Sequence, residues 1–178
     1  MAVARNLQWI LAAVLAITAG YLDGRFRRIP NWLTVPSTVI GVVVGFWIAG
    51  WAGAVNSLYG AGLGLLLLLP FVLLRALGAG DWKLVGALGA LLGPQHLVVV
   101  LMATIIVAGV MALALVMWKG RLRQTLRNIL RIFGALFSFH VPAPELSLDN
   151  PESLKVPFGV AVAIAVILYA VAHVRGVA

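Results

Sequence analysis

Apolar runs long enough to cross a lipid bilayer follow one another along almost the whole chain, and this limits the fold more than any other feature. A crossing helix takes about 20 residues. Runs of suitable length extend from Leu7 to Leu22, Trp32 to Gly50, Leu58 to Leu74 and Val156 to Val174. The stretch from Trp82 to Trp118 is too long for one crossing. Gly93-Pro94 is its expected break, because proline has no amide hydrogen to donate and glycine weakens a helix. That leaves a short segment from Trp82 to Leu92 and a long one from Gln95 to Trp118. With 63% hydrophobic and 10% charged residues, there is too little polar surface to cover a soluble domain, so lipid must solvate much of the chain.

The expected fold is therefore all-α: a polytopic membrane bundle of about six helices forming one domain over residues 1–178. The first run imitates a signal peptide, with Arg5 ahead of it and Ala19-Gly20 near its end, but the spans that follow favour a retained helix. Between the last two runs, residues 119–155 form a polar connection. Arg123, Arg127 and Arg131 recur at helical spacing there, largely opposite Leu122, Leu126, Ile129, Leu130, Phe133 and Phe137. This pattern predicts an amphipathic cytoplasmic helix on anionic lipid, followed by a proline-rich loop.

Charge placement tests the layout. The connections after the first, third and fifth spans hold eleven of the thirteen basic residues, leaving only Arg5 and Arg175 on the other side. The excess of Lys and Arg in cytoplasmic loops puts those connections inside and both termini outside. It also accounts for the net charge of +8 without nucleic acid as a partner. There is no cysteine, which excludes disulfides and thiol chemistry, and His96, His140 and His173 lie on different segments, which argues against a metal site.

Of five acids, Glu145, Asp149 and Glu152 sit in or beside the late loop. The other two, Asp23 and Asp81, sit at the ends of apolar spans and on the same predicted side. Carboxylates are costly there and mark candidate functional positions. Asp81 has a structural alternative as a helix N-cap, and Asp23 has one as a salt-bridge partner of Arg25, Arg27 or Arg28. Gly78-Ala79-Gly80-Asp81 places two glycines before an acid, so a peptide backbone has room beside the carboxylate. Two carboxylates in one site share a proton and supply a general base and a general acid together. The rival reading is a small proton- or cation-coupled transporter, although its site belongs near the membrane midplane rather than at an edge.

Three motifs carry a resemblance: Asp23-Gly24-Arg25 followed by Ile29-Pro30-Asn31, then Gly78-Ala79-Gly80-Asp81-Trp82-Lys83-Leu84, and more weakly Pro157-Phe158-Gly159. Together they resemble the type IV prepilin peptidases, membrane aspartyl proteases with a Gly-x-Gly-Asp motif, and most closely the short branch that serves Flp pili and tight-adherence systems. The resemblance implies Asp23 and Asp81 as the catalytic pair, with Gly78, Gly80, Lys83, Arg25, Pro30 and Asn31 in support. It implies no cofactor or metal, prepilin or pseudopilin substrates, and a bacterial inner membrane location with cleavage at the cytoplasmic face. Larger members carry a cysteine-bearing insertion with methyltransferase activity; with no cysteine and no room before the second span, peptidase activity alone is expected here. A non-catalytic secretion-system scaffold is the remaining alternative.

Overall fold

The computed structural model describes residues 2–74, 77–120 and 156–174. The predicted amphipathic helix and proline-rich loop fall outside them. The described residues form four helices: α1 (Ala2–Phe26), α2 (Asn31–Leu73), α3 (Ala79–Trp118) and α4 (Phe158–Val174). Among the described residues, α1, α2 and α3 are long and apolar enough to cross a membrane; α4 is a shorter apolar helix.

Length alone prevents α2 and α3 from being straight. At 1.5 Å per residue, 43 and 40 residues would each reach about 60 Å, twice the hydrocarbon thickness. Both fold back. In α2 the helical backbone breaks at Ala49 and at Gly50, whose φ of 60° glycine adopts without penalty. Beyond the break the chain returns antiparallel to itself, so the Ser57 hydroxyl donates to the Gly41 carbonyl at 3.2 Å across sixteen residues. In α3 the break is at Gly93, with φ 74°, immediately before Pro94. Val85 and Leu97, on either side of it, both pack against Gly64 of α2.

The break at Gly93-Pro94 is the one the sequence predicts, and the reversal at Gly50 matches the predicted end of the second span. Several boundaries differ; α3, for instance, begins at Ala79 rather than Trp82. The second limb of α2 is helical from residue 51 rather than 58, and α1 continues past Leu22 to Phe26. Counting limbs, the described chain has six helical segments: α1, residues 31–48 and 51–73, residues 79–92 and 94–118, and α4.

The core is built around residues 84–93, every one of which is buried. A helix apolar on all sides belongs inside a bundle, which explains why so short a segment lacks a polar face. Small residues let its neighbours close in. Gly41 packs on the Ala90 backbone, and the backbones of Gly60 and Gly89 meet so closely that neither position has room for a side chain. α1 and α4 pack together on the other side, where Ala16 and Ala19 of α1 and Val162 and Val166 of α4 are buried. The outward faces stay apolar, with Trp47, Trp51, Ile106 and Leu168 exposed, as lipid-facing surfaces require.

Candidate active site

Asp23 enters the site from the last turns of α1, a position where its own helix dipole disfavours negative charge. A second helix end compensates. The Gly159 amide in the first turn of α4 donates to Asp23 Oδ2 at 2.8 Å, and the carboxylate therefore faces an N-terminus as well. A Cβ at Gly159 would lie 2.9 Å from Asp23 Cβ and 3.1 Å from Oδ2, so only glycine brings this amide to the carboxylate. Asp23 is 8% exposed. The sequence marks Pro157-Phe158-Gly159 only as a weak motif; the contact across 136 residues gives it a physical role.

α1 ends just beyond Asp23. Arg27 adopts φ 55° and its amide donates to the Asp23 carbonyl at 2.9 Å, a left-handed cap of the kind glycine usually supplies. Holding an arginine there costs on the order of 1–2 kcal/mol. The cap turns the chain sharply into Arg28-Ile29-Pro30. Pro30 then caps α2 from outside the helix, in extended conformation (φ −77°, ψ 150°), and α2 begins at Asn31 rather than at the proline.

Asp81 stands in the first turn of α3. Its carboxylate accepts the Gly78 amide, the residue that precedes the helix, while the Trp82 amide donates to the Gly78 carbonyl at 3.1 Å. This is the reach-back half of a capping box. Asp81 is therefore not the N-cap, which is Gly78, but it reaches back to the cap from the first turn while its carboxylate stays at the cleft. Gly80 is needed for a different reason: a Cβ there would meet the Ile29 backbone oxygen and Cβ, each at 3.1 Å. Trp82 is half-buried and its indole N–H donates to the Leu65 carbonyl at 2.7 Å, so it ties α3 to α2.

These elements enclose a cleft of 420 Å³ lined by Asp23, Asp81, Arg27, Arg28, Ile29, Pro30, Asn31, Gly78, Ala79 and Gly80. Asp23 and Asp81, 58 positions apart in sequence, share it and interact electrostatically. Lys83 donates from Nζ to Asn31 Oδ1 at 2.9 Å, joining the start of α3 to the start of α2. Arg25 is not among the lining residues; its guanidinium lies over Phe26, 5.8 Å from the ring centre. Arg27 and Arg28 line the cleft in its place.

Two of the histidines lie closer than their segments suggest, although no group of three or more His, Asp or Glu residues is placed to hold a metal ion among the described residues. Separate segments do not keep them apart: His96 of α3 and His173 of α4 have ring centres 5.2 Å apart, within a cluster that includes Trp9 and Tyr169. His140 lies outside the described residues. Nothing in the linear spacing signals this pairing, because it depends on the reversal at Gly93.

The fold and cleft define a helical membrane protein with paired carboxylates at one end of its helices. A family model described as the type IV leader peptidase family matches residues 10–113, which include both aspartates, and the chain belongs to that family. No curated protein and no solved structure gives a match.

Proposed function

We propose that the chain is an aspartic endopeptidase that removes the leader of type IV prepilins of the Flp-like kind at the cytoplasmic face of a bacterial inner membrane. The observation that carries this reading is the single cleft shared by Asp23 and Asp81 within the family match. In the proposed reaction one carboxylate takes a proton from water while the water oxygen attacks the scissile carbonyl carbon. The other, holding the shared proton, gives it to the carbonyl oxygen. Collapse of the tetrahedral intermediate breaks the C–N bond: the amine leaves with the proton from the first carboxyl, and a hydroxyl of the intermediate returns a proton to the second carboxylate as the new carbonyl forms, which restores the shared-proton pair. The backbone amides of Gly159 and Gly78 fix the carboxylates, and the Lys83–Asn31 contact holds the two helix starts on either side of the substrate.

Each helical limb is one crossing in this proposal, giving six crossings with the basic connections inside. A periplasmic phosphatase fused after Arg123 is then inactive. Co-expression with a candidate Flp-type prepilin tests the function itself: a leader-less product on a gel supports it. An unprocessed precursor across prepilins from the same genome, with the enzyme present in the membrane, refutes it. The transporter alternative calls for a site near the midplane, whereas this cleft lies at helix ends.

A further inference from the structure

The basic side chains around the cleft are not equivalent. Arg25 lies over the Phe26 ring, 5.8 Å from its centre. Arg27 forms the left-handed cap of α1 and makes a further interaction. Lys83 donates to Asn31 Oδ1 at 2.9 Å. Arg28 differs from all of these. It is exposed and lines the cleft, and its side chain makes no hydrogen bond, ion pair or ring contact among the described residues.

The backbone that carries Arg28 is braced on both sides. Before it, the Arg27 amide is held on the Asp23 carbonyl at 2.9 Å. After it, Ile29 is buried and its backbone oxygen lies so close to Gly80 of α3 that a Cβ there would stand 3.1 Å away. The guanidinium therefore projects from a fixed point in the short connection between α1 and α2, and less order is lost when it binds. Charge then selects its partner. Two aspartates sharing a proton carry one negative charge, whereas Arg27 and Arg28 bring two positive charges to the same lining. The excess is positive, so the complementary occupant carries a negative group. A planar guanidinium matches a carboxylate, which it can hold through two parallel hydrogen bonds.

We propose that Arg28 is a specificity-determining residue that binds the carboxylate of a Glu or Asp side chain in the substrate, close to the scissile bond. The inference rests on the peptidase reading above. An acidic residue entering this cleft without Arg28 meets the like charge of the aspartate pair; with Arg28 it is admitted and fixes the register of the peptide. Arg28 takes no part in the proton transfers.

The test uses the full-length enzyme in lipid nanodiscs and a candidate Flp-type prepilin, with the cut located by mass spectrometry of the product. Each Glu and Asp flanking the cut is changed in turn to Gln or Asn. One of these changes should lower kcat/KM of the wild-type enzyme about tenfold or more, mainly through KM, as expected for a lost hydrogen bond to a charged group. Arg28→Gln should give the same loss on the unchanged prepilin and little further loss on the prepilin lacking that acid. Arg28→Lys, which keeps the charge but not the fork, should fall between. The prepilin series needs no enzyme variant, so a poorly folded substitution does not blunt the test. If the wild-type enzyme cuts no prepilin, the peptidase reading fails and this inference falls with it. Cleavage that is insensitive to every flanking acid, or fully additive losses, overturns this inference alone. So does an Arg28→Gln loss that is equal for all prepilins and vanishes in neutral phosphatidylcholine, which assigns the guanidinium to a lipid phosphate instead.

Discussion

The two ends of the helix bundle solve opposite problems with the same helices. At one end, glycines and backbone amides surround two carboxylates and leave a cleft of 420 Å³. At the other, four rings fill the junction and Trp9 is only 4% exposed. The open end needs precision without bulk, so the side chains that position Asp23 and Asp81 are replaced by main chain: Gly159 reaches one carboxylate and Gly78 the other. The packed end needs bulk to hold α1, α3 and α4 together. Position at the cleft is therefore set by where helices begin, and helix spacing is set in the core and at the far end.

The comparison breaks first at the core between the ends. Gly60→Val sets a branched side chain against the Gly89 backbone, which cannot yield as a side chain would. The expected loss is about 3 kcal/mol of stability, at the upper end for overpacking, seen as reduced membrane abundance and a lower melting temperature in detergent. Normal abundance and melting would show that the two backbones are not in contact.

A smaller, local effect is expected at the cleft. Gly159→Ala should keep the protein folded but displace Asp23, and a misplacement near 1 Å costs about 100-fold in rate. Prepilin processing at matched abundance measures it, and wild-type turnover would remove Gly159 as the group that positions Asp23. Lys83→Met breaks the contact with Asn31 at the exposed rim and should slow processing about three- to tenfold, the range of one hydrogen bond. Asn31→Ala should give a similar loss, and the double change little more. Fully additive losses would mean that the two side chains act separately. The smallest effect should come from the far end: His173→Gln should leave processing within about twofold while lowering the melting temperature, because it removes a ring from the packed cluster. A large catalytic loss there would show that the ends are coupled.

Much of this architecture is legible in sequence because membrane helices are limited by length and backbone satisfaction. Runs of about 20 apolar residues, together with Gly93-Pro94 and Gly50, predict where the chain reverses. Asp23 and Asp81 stand out because acids are so rare in such a background. What stays hidden are contacts made by backbone. The amide of Gly159 carries no side-chain signature, and the left-handed Arg27 looks like any basic residue at a helix end. Arg25 follows Asp23-Gly24 directly, yet it is turned over Phe26 while Arg27 and Arg28 line the cleft, because the cap at Arg27 redirects the chain after it. The His96–His173 pair is hidden for a third reason: the two meet only after α3 reverses and α4 packs beside it.

The central claim is that Asp23 and Asp81 act as one catalytic unit. Processing of a prepilin by Asp23→Asn, Asp81→Asn and the double variant, at equal membrane abundance, tests it most directly. Asparagine keeps the size of the side chain and removes the titrating carboxylate. If one proton relay uses both groups, each single change abolishes cleavage and the double change adds almost nothing. A purely structural role as a cap predicts about 1 kcal/mol lost from stability with cleavage largely kept; near-normal processing by either single variant would contradict the paired-carboxylate account.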